Sequence, residues 1–125
     1  MKKLTLILGL VFCSHIFAGV ELIDVHQLKQ RIENPDEVLI LLDVRTTGEY
    51  QSGHIEDSIN IPHDQLLQNI DVLNQYRDQP IAVFCRSGRR AQLVINTLAD
   101  NEFEQLVDIE GDMLAWKTSG FPVVR

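Results

Sequence analysis

Residues 81–91 read IAVFCRSGRRA and contain, in order, a short apolar run, a cysteine and a loop with three arginines. The run Ile81–Phe84 has the length and composition of a strand buried on both faces, as in a parallel sheet covered by helices. From Arg90 to about Ala99, apolar residues recur at helical spacing, which predicts a helix. Cys85 is therefore expected in a loop between the end of a buried strand and the start of a helix.

Strands and helices alternate on both sides of this loop. Apolar or alternating stretches predict further strands at 38–42, 58–61 and 106–109. Helices are predicted at 25–32, 46–50, 64–69, 72–76 and 113–117, the first two with an N-cap at Asp24 and with capping-box spacing between Thr46 and Glu49. This alternation indicates a single α/β domain whose mainly parallel sheet is flanked by helices on both faces. Ligands of such sheets bind beyond the carboxyl ends of the strands, where Cys85 and Asp43 are placed.

The first 19 residues have the pattern of a secretory leader. Lys2 and Lys3 precede an apolar run, and the small residues Ala18 and Gly19 follow it, which is the order found in signal peptides. The run is shorter than the roughly 20 residues that a membrane-spanning helix needs. We therefore expect a signal peptide at 1–19, cleavage near Ala18-Gly19, a periplasmic domain at 20–125 and no stable membrane association after cleavage.

Composition narrows the class of protein. The 125 residues carry a net charge of −7, and without Lys2 and Lys3 nine basic residues remain against eighteen acidic ones. This acidity argues against nucleic acid as a partner. Cys13 would leave with the leader, so that Cys85 would be the sole thiol and could not form an intramolecular disulfide. A buried structural cysteine or an intermolecular bridge are the other interpretations of such a residue.

The residues around Cys85 favour a reactive thiol instead. Arg86, Arg89 and Arg90 bring three positive charges to an otherwise acidic chain, at a helix start where cations oppose the helix dipole. Gly88 allows the backbone to curl, so that several N–H groups point at one anion. Positive charge and a helix N-terminus both favour the thiolate. We predict Cys85 as the nucleophile, with an anionic substrate bound by the rest of the loop, namely Arg86, Ser87, Gly88, Arg89 and Arg90.

At this loop the sequence resembles the rhodanese family, whose active loop has the pattern Cys-Arg-x-Gly-x-Arg. The resemblance runs from about Leu22 to Val123 and includes an upstream and a closing signature. The matching residues are Cys85, Arg86, Gly88 and Arg90 in the loop, Asp43-Val44-Arg45, Glu49-Tyr50, Gly53-His54-Ile55, Ser58 and Asn60-Ile61-Pro62 upstream, and Ile109-Glu110-Gly111, Trp116 and Gly120-Phe121-Pro122-Val123 at the end. One position departs: the family often has paired glycines where this chain has Gly111-Asp112, so the geometry of that turn is not implied.

The resemblance implies a thiosulfate sulfurtransferase. The Cys85 thiolate would take the outer sulfur of thiosulfate or a similar anionic donor as a persulfide, and a thiol or cyanide acceptor would remove it. No organic cofactor is implied, and no metal site is predicted, because no two histidines have ligand spacing. Asp43 and Arg45, at the neighbouring strand end, are expected to form an ion pair that supports the site.

Two other function classes stay open at this point. Cysteine-dependent phosphatases and arsenate reductases use a similar loop, but the phosphatase pattern has its arginine six positions after the cysteine, where this chain has Ala91. The shorter loop favours a single sulfur atom over a phosphate group. The other class is a binding module that carries a persulfide to a partner protein. The sequence does not determine the oligomeric state.

Overall fold

The computed structural model describes residues 19–125, so the predicted leader, apart from Gly19, lies outside the described residues. Within this range one sheet is formed by the strands β1 (Glu21–Ile23), β2 (Ile40–Asp43), β3 (Ile59–Asn60), β4 (Ile81–Phe84) and β5 (Leu106–Ile109). The strand order is β1-β5-β4-β2-β3, and every neighbouring pair is parallel. The predicted α/β fold with a parallel sheet is confirmed.

The helices cover both faces of this sheet. They are α1 (Val25–Glu33), α2 (Thr47–Ser52), α3 (Ile70–Asn74), α4 (Arg89–Asp100) and α5 (Asp112–Thr118), with two short 3₁₀ turns at His63–Gln65 and Leu67–Asn69. Side chains of α3 and α4 pack on one face, and those of α1 and α5 pack on the other. Within residues 19–125, no helix has both the length and the apolar character that crossing a membrane requires.

Strand β4 lies in the centre of the sheet and determines where the loop begins. Ile81 and Val83 pack into the cluster with α4, whereas Ala82 and Phe84 pack into the cluster with α5. All four side chains are buried, and each large one contributes roughly 1.5–3 kcal/mol to folding by leaving water. The end of β4 is therefore held from both sides.

The two predicted capping residues, Asp24 and Thr46, do begin helices α1 and α2. Each has a complete capping box, Asp24 with Gln27 and Thr46 with Glu49. The larger differences from the prediction lie in three parts of the chain. Strand β1 was not predicted, because it has three residues and only Ile23 is buried. Strand β2 begins two residues later than predicted, since Val38 is exposed. The predicted helices at 64–69 and 72–76 are the two 3₁₀ turns and the short helix α3.

Candidate active site

Cys85 directly follows β4, and only 1% of its surface is exposed. The backbone N–H of Gly88 donates a hydrogen bond to its Sγ, with 3.0 Å between N and S. Gly88 is the N-cap of α4 and has a φ of 119°, a conformation that side-chain-bearing residues rarely adopt. The loop therefore turns back over the sulfur atom, as the glycine in the sequence suggested.

The structure separates the three loop arginines into two kinds. Arg86 and Arg89 are exposed, as is Ser87 between them. Arg90 is half-buried, and its Nη1 and Nη2 donate to the two carboxylate oxygens of Glu49 at 2.6 and 3.1 Å. Arg90 is thus held by an acidic partner, whereas Arg86 and Arg89 remain accessible to an anion.

The pairing of Glu49 with Arg90 was not anticipated. The hydrogen bond from Arg90 lowers the pKa of Glu49 to about 2, against the desolvation by burial that raises it. The same bond is the main cause that raises the pKa of Arg90, and the charge of Cys85 adds to it. Arg90 therefore interacts electrostatically with Cys85 while its guanidinium is paired with the carboxylate of Glu49. In the sequence, Glu49 has capping-box spacing with Thr46 and is part of the upstream signature, and neither sign indicates a pairing with Arg90.

Asp43 and Arg45 form the expected ion pair, and both are buried. Arg45 Nη2 lies 2.7 Å from Asp43 Oδ2, and Nε lies 3.0 Å from Oδ1. The same Nη2 also donates to the backbone carbonyl of Gly53 at 2.8 Å. The pair thus links the end of β2 to the end of α2, beside the strand that presents Cys85.

Asp112 is a site residue that the sequence prediction missed. Its Oδ1 accepts the backbone N–H of Cys85 at 2.8 Å, and only 3% of its surface is exposed. Burial raises the pKa of this carboxyl to about 6; the Cys85 N–H opposes the shift, and the charge of Asp108 adds to it. The two residues after Asp112 also hold the loop, since Met113 N–H donates to the Cys85 carbonyl and Leu114 N–H to that of Arg86.

A cleft of about 200 Å³ lies beside the loop. It is lined by Arg45, Glu49, Ser52, Arg86, Met113, Leu114 and Lys117. Its lining thus combines two exposed cationic side chains, Arg86 and Lys117, with the exposed apolar side chain of Leu114. In the part of the chain that the structure describes, no three His, Cys, Asp or Glu side chains are grouped so that they could hold a metal ion.

A family model described as the rhodanese-like domain matches residues 24–119, which include every residue named above for the candidate active site. The chain belongs to the rhodanese-like domain family. The family named from the sequence motifs is therefore confirmed. A solved rhodanese-related protein from Thermoplasma volcanium superposes on this rhodanese-like domain with a TM-score of 0.73 and 33% identity, over 83% of this chain and 97% of that one.

Curated relatives of this rhodanese-like domain carry more than one kind of name. A sulfurtransferase of Allochromatium vinosum is 30% identical over 102 residues, which are 82% of this chain and 92% of the relative. A tRNA uridine(34) hydroxylase of Cronobacter sakazakii is 29% identical over 105 residues, but these are only 30% of that longer protein. Family membership alone therefore does not identify the reaction, which has to be inferred from the geometry at Cys85.

Proposed function

We propose that this rhodanese-like domain is a sulfurtransferase that moves a sulfane sulfur from an anionic donor such as thiosulfate to a thiol or cyanide acceptor. The observation that carries the proposal is the loop curled onto Sγ of Cys85, with the Gly88 N–H donating to the sulfur at 3.0 Å. A donor at this position stabilises negative charge on a sulfur atom. The similar length of the curated sulfurtransferase relative also supports it.

The transfer takes two steps through a persulfide on Cys85. In the first, the thiolate attacks the outer sulfur of thiosulfate, a new S–S bond forms, and sulfite leaves with the electron pair of the bond that breaks. In the second, an acceptor thiolate or cyanide attacks that same sulfur, and the electron pair of the broken S–S bond returns to Sγ. The sulfur atom is carried by the protein itself, so the scheme requires no metal or organic cofactor.

The exposed arginines account for the choice of an anionic donor. The chain as a whole carries a net charge of −7, which repels small anions at long range. Arg86 and Arg89 offset this repulsion at the loop, where they are exposed. Arg90 contributes less, because its guanidinium is engaged by Glu49. We therefore assign donor attraction to Arg86 and Arg89, and the persulfide to the backbone around Gly88.

Mass spectrometry of the intact protein tests the reaction class. After incubation with thiosulfate, the wild-type protein should gain one sulfur atom and lose it again when cyanide is added. Cys85→Ser should gain none while it keeps its fold by circular dichroism. Cys13→Ser is the matched control and should behave as the wild type. Turnover of an aryl phosphate that depends on Cys85, without any transfer from thiosulfate, would instead indicate a phosphatase.

We also propose that the domain works in the periplasm after removal of residues 1–19. The support is the basic start, the apolar run and the small residues Ala18 and Gly19. The intact mass of protein recovered from the periplasmic fraction reports this directly. A mass that includes Met1-Lys2-Lys3, or recovery only from the cytoplasm, contradicts the proposal.

A further inference from the structure

The cleft beside the loop contains two cations that have no acidic partner. Arg86 and Lys117 are exposed, and neither forms an ion pair with any of residues 19–125. The other charged groups of the lining, Arg45 and Glu49, are each paired with a residue of opposite charge. The cleft is therefore locally positive on a chain whose net charge is −7, and this charge favours an anionic ligand.

Helix α5 determines where Lys117 lies relative to the loop. The N–H of Met113, in its first turn, donates to the carbonyl of Cys85 at 3.0 Å, so the start of this helix is attached to the loop. Lys117 follows four residues later, and residues at this spacing share a face of a helix. Its Cα lies about 6 Å further along the helix axis than that of Met113. The cleft thus has one cation on the loop and the other one turn along α5.

This separation gives the two cations different ligands. In thiosulfate the charged oxygens are bonded to the atom next to the sulfur that is transferred, so they meet the cations of the loop itself. An acceptor thiol that carries a carboxylate has methylene groups between its sulfur and its charge, and this charge extends beyond the loop. The exposed side chain of Leu114, in the same cleft, offers an apolar contact to these methylene groups.

We propose that this cleft is the acceptor subsite, that it takes a small thiol carrying a carboxylate, and that Lys117 binds the carboxylate. The inference rests on the proposed function, in which Cys85 carries a sulfane sulfur. The acceptor thiolate attacks the outer sulfur of the persulfide, and a new S–S bond forms as the bond to Sγ breaks. The electron pair returns to Sγ, and the acceptor leaves as its own persulfide.

The size of the cleft favours a small acceptor. Its volume of about 200 Å³ is below the roughly 300–1,000 Å³ of sites for drug-sized molecules. The test therefore compares two small thiols of the same shape, 3-mercaptopropionate and its neutral amide. The full chain carrying Cys13→Ser is loaded with thiosulfate, freed of the donor by desalting and mixed with one thiol, and the loss of the added sulfur is followed by mass.

The readout is the ratio of the rate with the carboxylate to the rate with the amide. The two thiols differ in intrinsic reactivity, but this difference is the same for every variant, so a change in the ratio reports on the protein. Lys117→Gln removes the cation and keeps a polar side chain. At low ionic strength the ratio should fall about threefold, as expected for the loss of one exposed ion pair, and high salt should reduce the difference from wild type.

Lys29→Gln is the matched control. Lys29 is the other lysine of residues 19–125, lies on α1, is paired with Glu33 and does not line the cleft. It changes the net charge by the same amount as Lys117→Gln but should leave the ratio unchanged. An equal fall in both variants would overturn the inference, because it would show an effect of net charge rather than of the cleft.

Two further outcomes contradict the proposal. A ratio in Lys117→Gln that equals the wild-type ratio at low salt would show that Lys117 does not bind the carboxylate. A persulfide that cyanide removes but neither thiol removes would indicate an acceptor protein in place of a small thiol.

A second measurement separates this inference from the proposed function. The Cys85 thiolate attacks the disulfide of either thiol, a mixed disulfide forms, and one thiolate leaves, so no sulfane sulfur takes part. Lys117→Gln should again lower the ratio of carboxylate to amide rates about threefold. A wild type that gains no sulfur from thiosulfate while this ratio falls would support the subsite and refute the proposed function. Sulfur transfer with neither ratio changed would refute the subsite alone.

Discussion

Replacing Glu49 with Gln tests how the charge at the loop is balanced. The carboxylate of Glu49 accepts from both Nη atoms of Arg90, and one of its oxygens also accepts the Thr46 N–H in the capping box of α2. A glutamine can keep the capping box: in α1 the side chain of Gln27 accepts the Asp24 N–H at 2.9 Å. Glu49→Gln therefore removes the negative charge next to Arg90 and leaves the start of α2 capped.

The expected loss of stability follows from the pKa of Glu49, which pairing lowers from 4.5 to about 2. Taken whole, this shift corresponds to roughly 3 kcal/mol. Solvent screens the pair, because 30% of the Glu49 side chain and 25% of the Arg90 side chain are exposed. After this screening, the pair contributes about 1 kcal/mol to the free energy of unfolding. Since the pKa of Glu49 is lower in the folded state, this contribution to stability is present above pH 4.5 and is lost as the pH falls towards 2.

Urea unfolding followed by fluorescence of Trp116 measures this effect. At pH 7, Glu49→Gln should lower the free energy of unfolding by about 1 kcal/mol, and the difference from wild type should disappear near pH 2. Glu104→Gln is the control, since Glu104 is exposed and makes no ion pair within residues 19–125. An equal loss of stability at both pH values would show that the charge of Glu49 does not stabilise the fold.

The same variant has an expected effect on catalysis. With Glu49 neutral, Arg90 is no longer paired and can attract thiosulfate, so the KM for thiosulfate should fall a few-fold at low salt. The kcat should change much less, because Glu49 does not contact the sulfur. Steady-state kinetics at low and high ionic strength decide this. A KM that rises would mean that Glu49 holds Arg90 in the geometry needed for donor binding.

Three further substitutions test the buried pair, the turn and the exposed arginine. Arg45→Ala leaves the Asp43 carboxylate buried without its partner and should cost about 3–5 kcal/mol in urea unfolding; a cost below about 1 kcal/mol would contradict the role of the pair. Gly88→Ala puts a Cβ 3.0 Å from Asp112 Oδ2 at a strained φ, so sulfur transfer should fall at least tenfold or so, whereas an unchanged kcat would refute it. Arg86→Ala should raise the KM for thiosulfate several-fold and spare kcat; an unchanged KM would show that Arg86 does not meet the donor.

Local sequence signals predicted the central part of the fold well. Strand β4 is a continuous apolar run, β5 is apolar except at Asp108, and α4 has a clear helical period that begins after Gly88. Both strands and one face of α4 are buried, so the spacing of their apolar residues reflects their environment. The edge strand β1 was missed for the opposite reason: two of its three residues are exposed and leave no periodic pattern. Helices were predicted at 64–69 and 72–76, but the structure has two single 3₁₀ turns at His63–Gln65 and Leu67–Asn69 and the short helix α3 at Ile70–Asn74.

What the sequence determined by itself is the centre of the site: a thiol at the end of a buried strand, a glycine that turns the loop, and cations at the start of a helix. These features are adjacent along the chain, so local patterns reveal them. Only the tertiary structure decided that Arg90 pairs with Glu49, 41 residues away, and that Asp112 holds Cys85 from 27 residues away. Both contacts depend on the order of the strands, because β2 and β5 flank β4 and bring their following loops to the same end of the sheet. No local spacing records that order, so the two carboxyl groups at the loop, those of Glu49 and Asp112, became visible only in the folded chain.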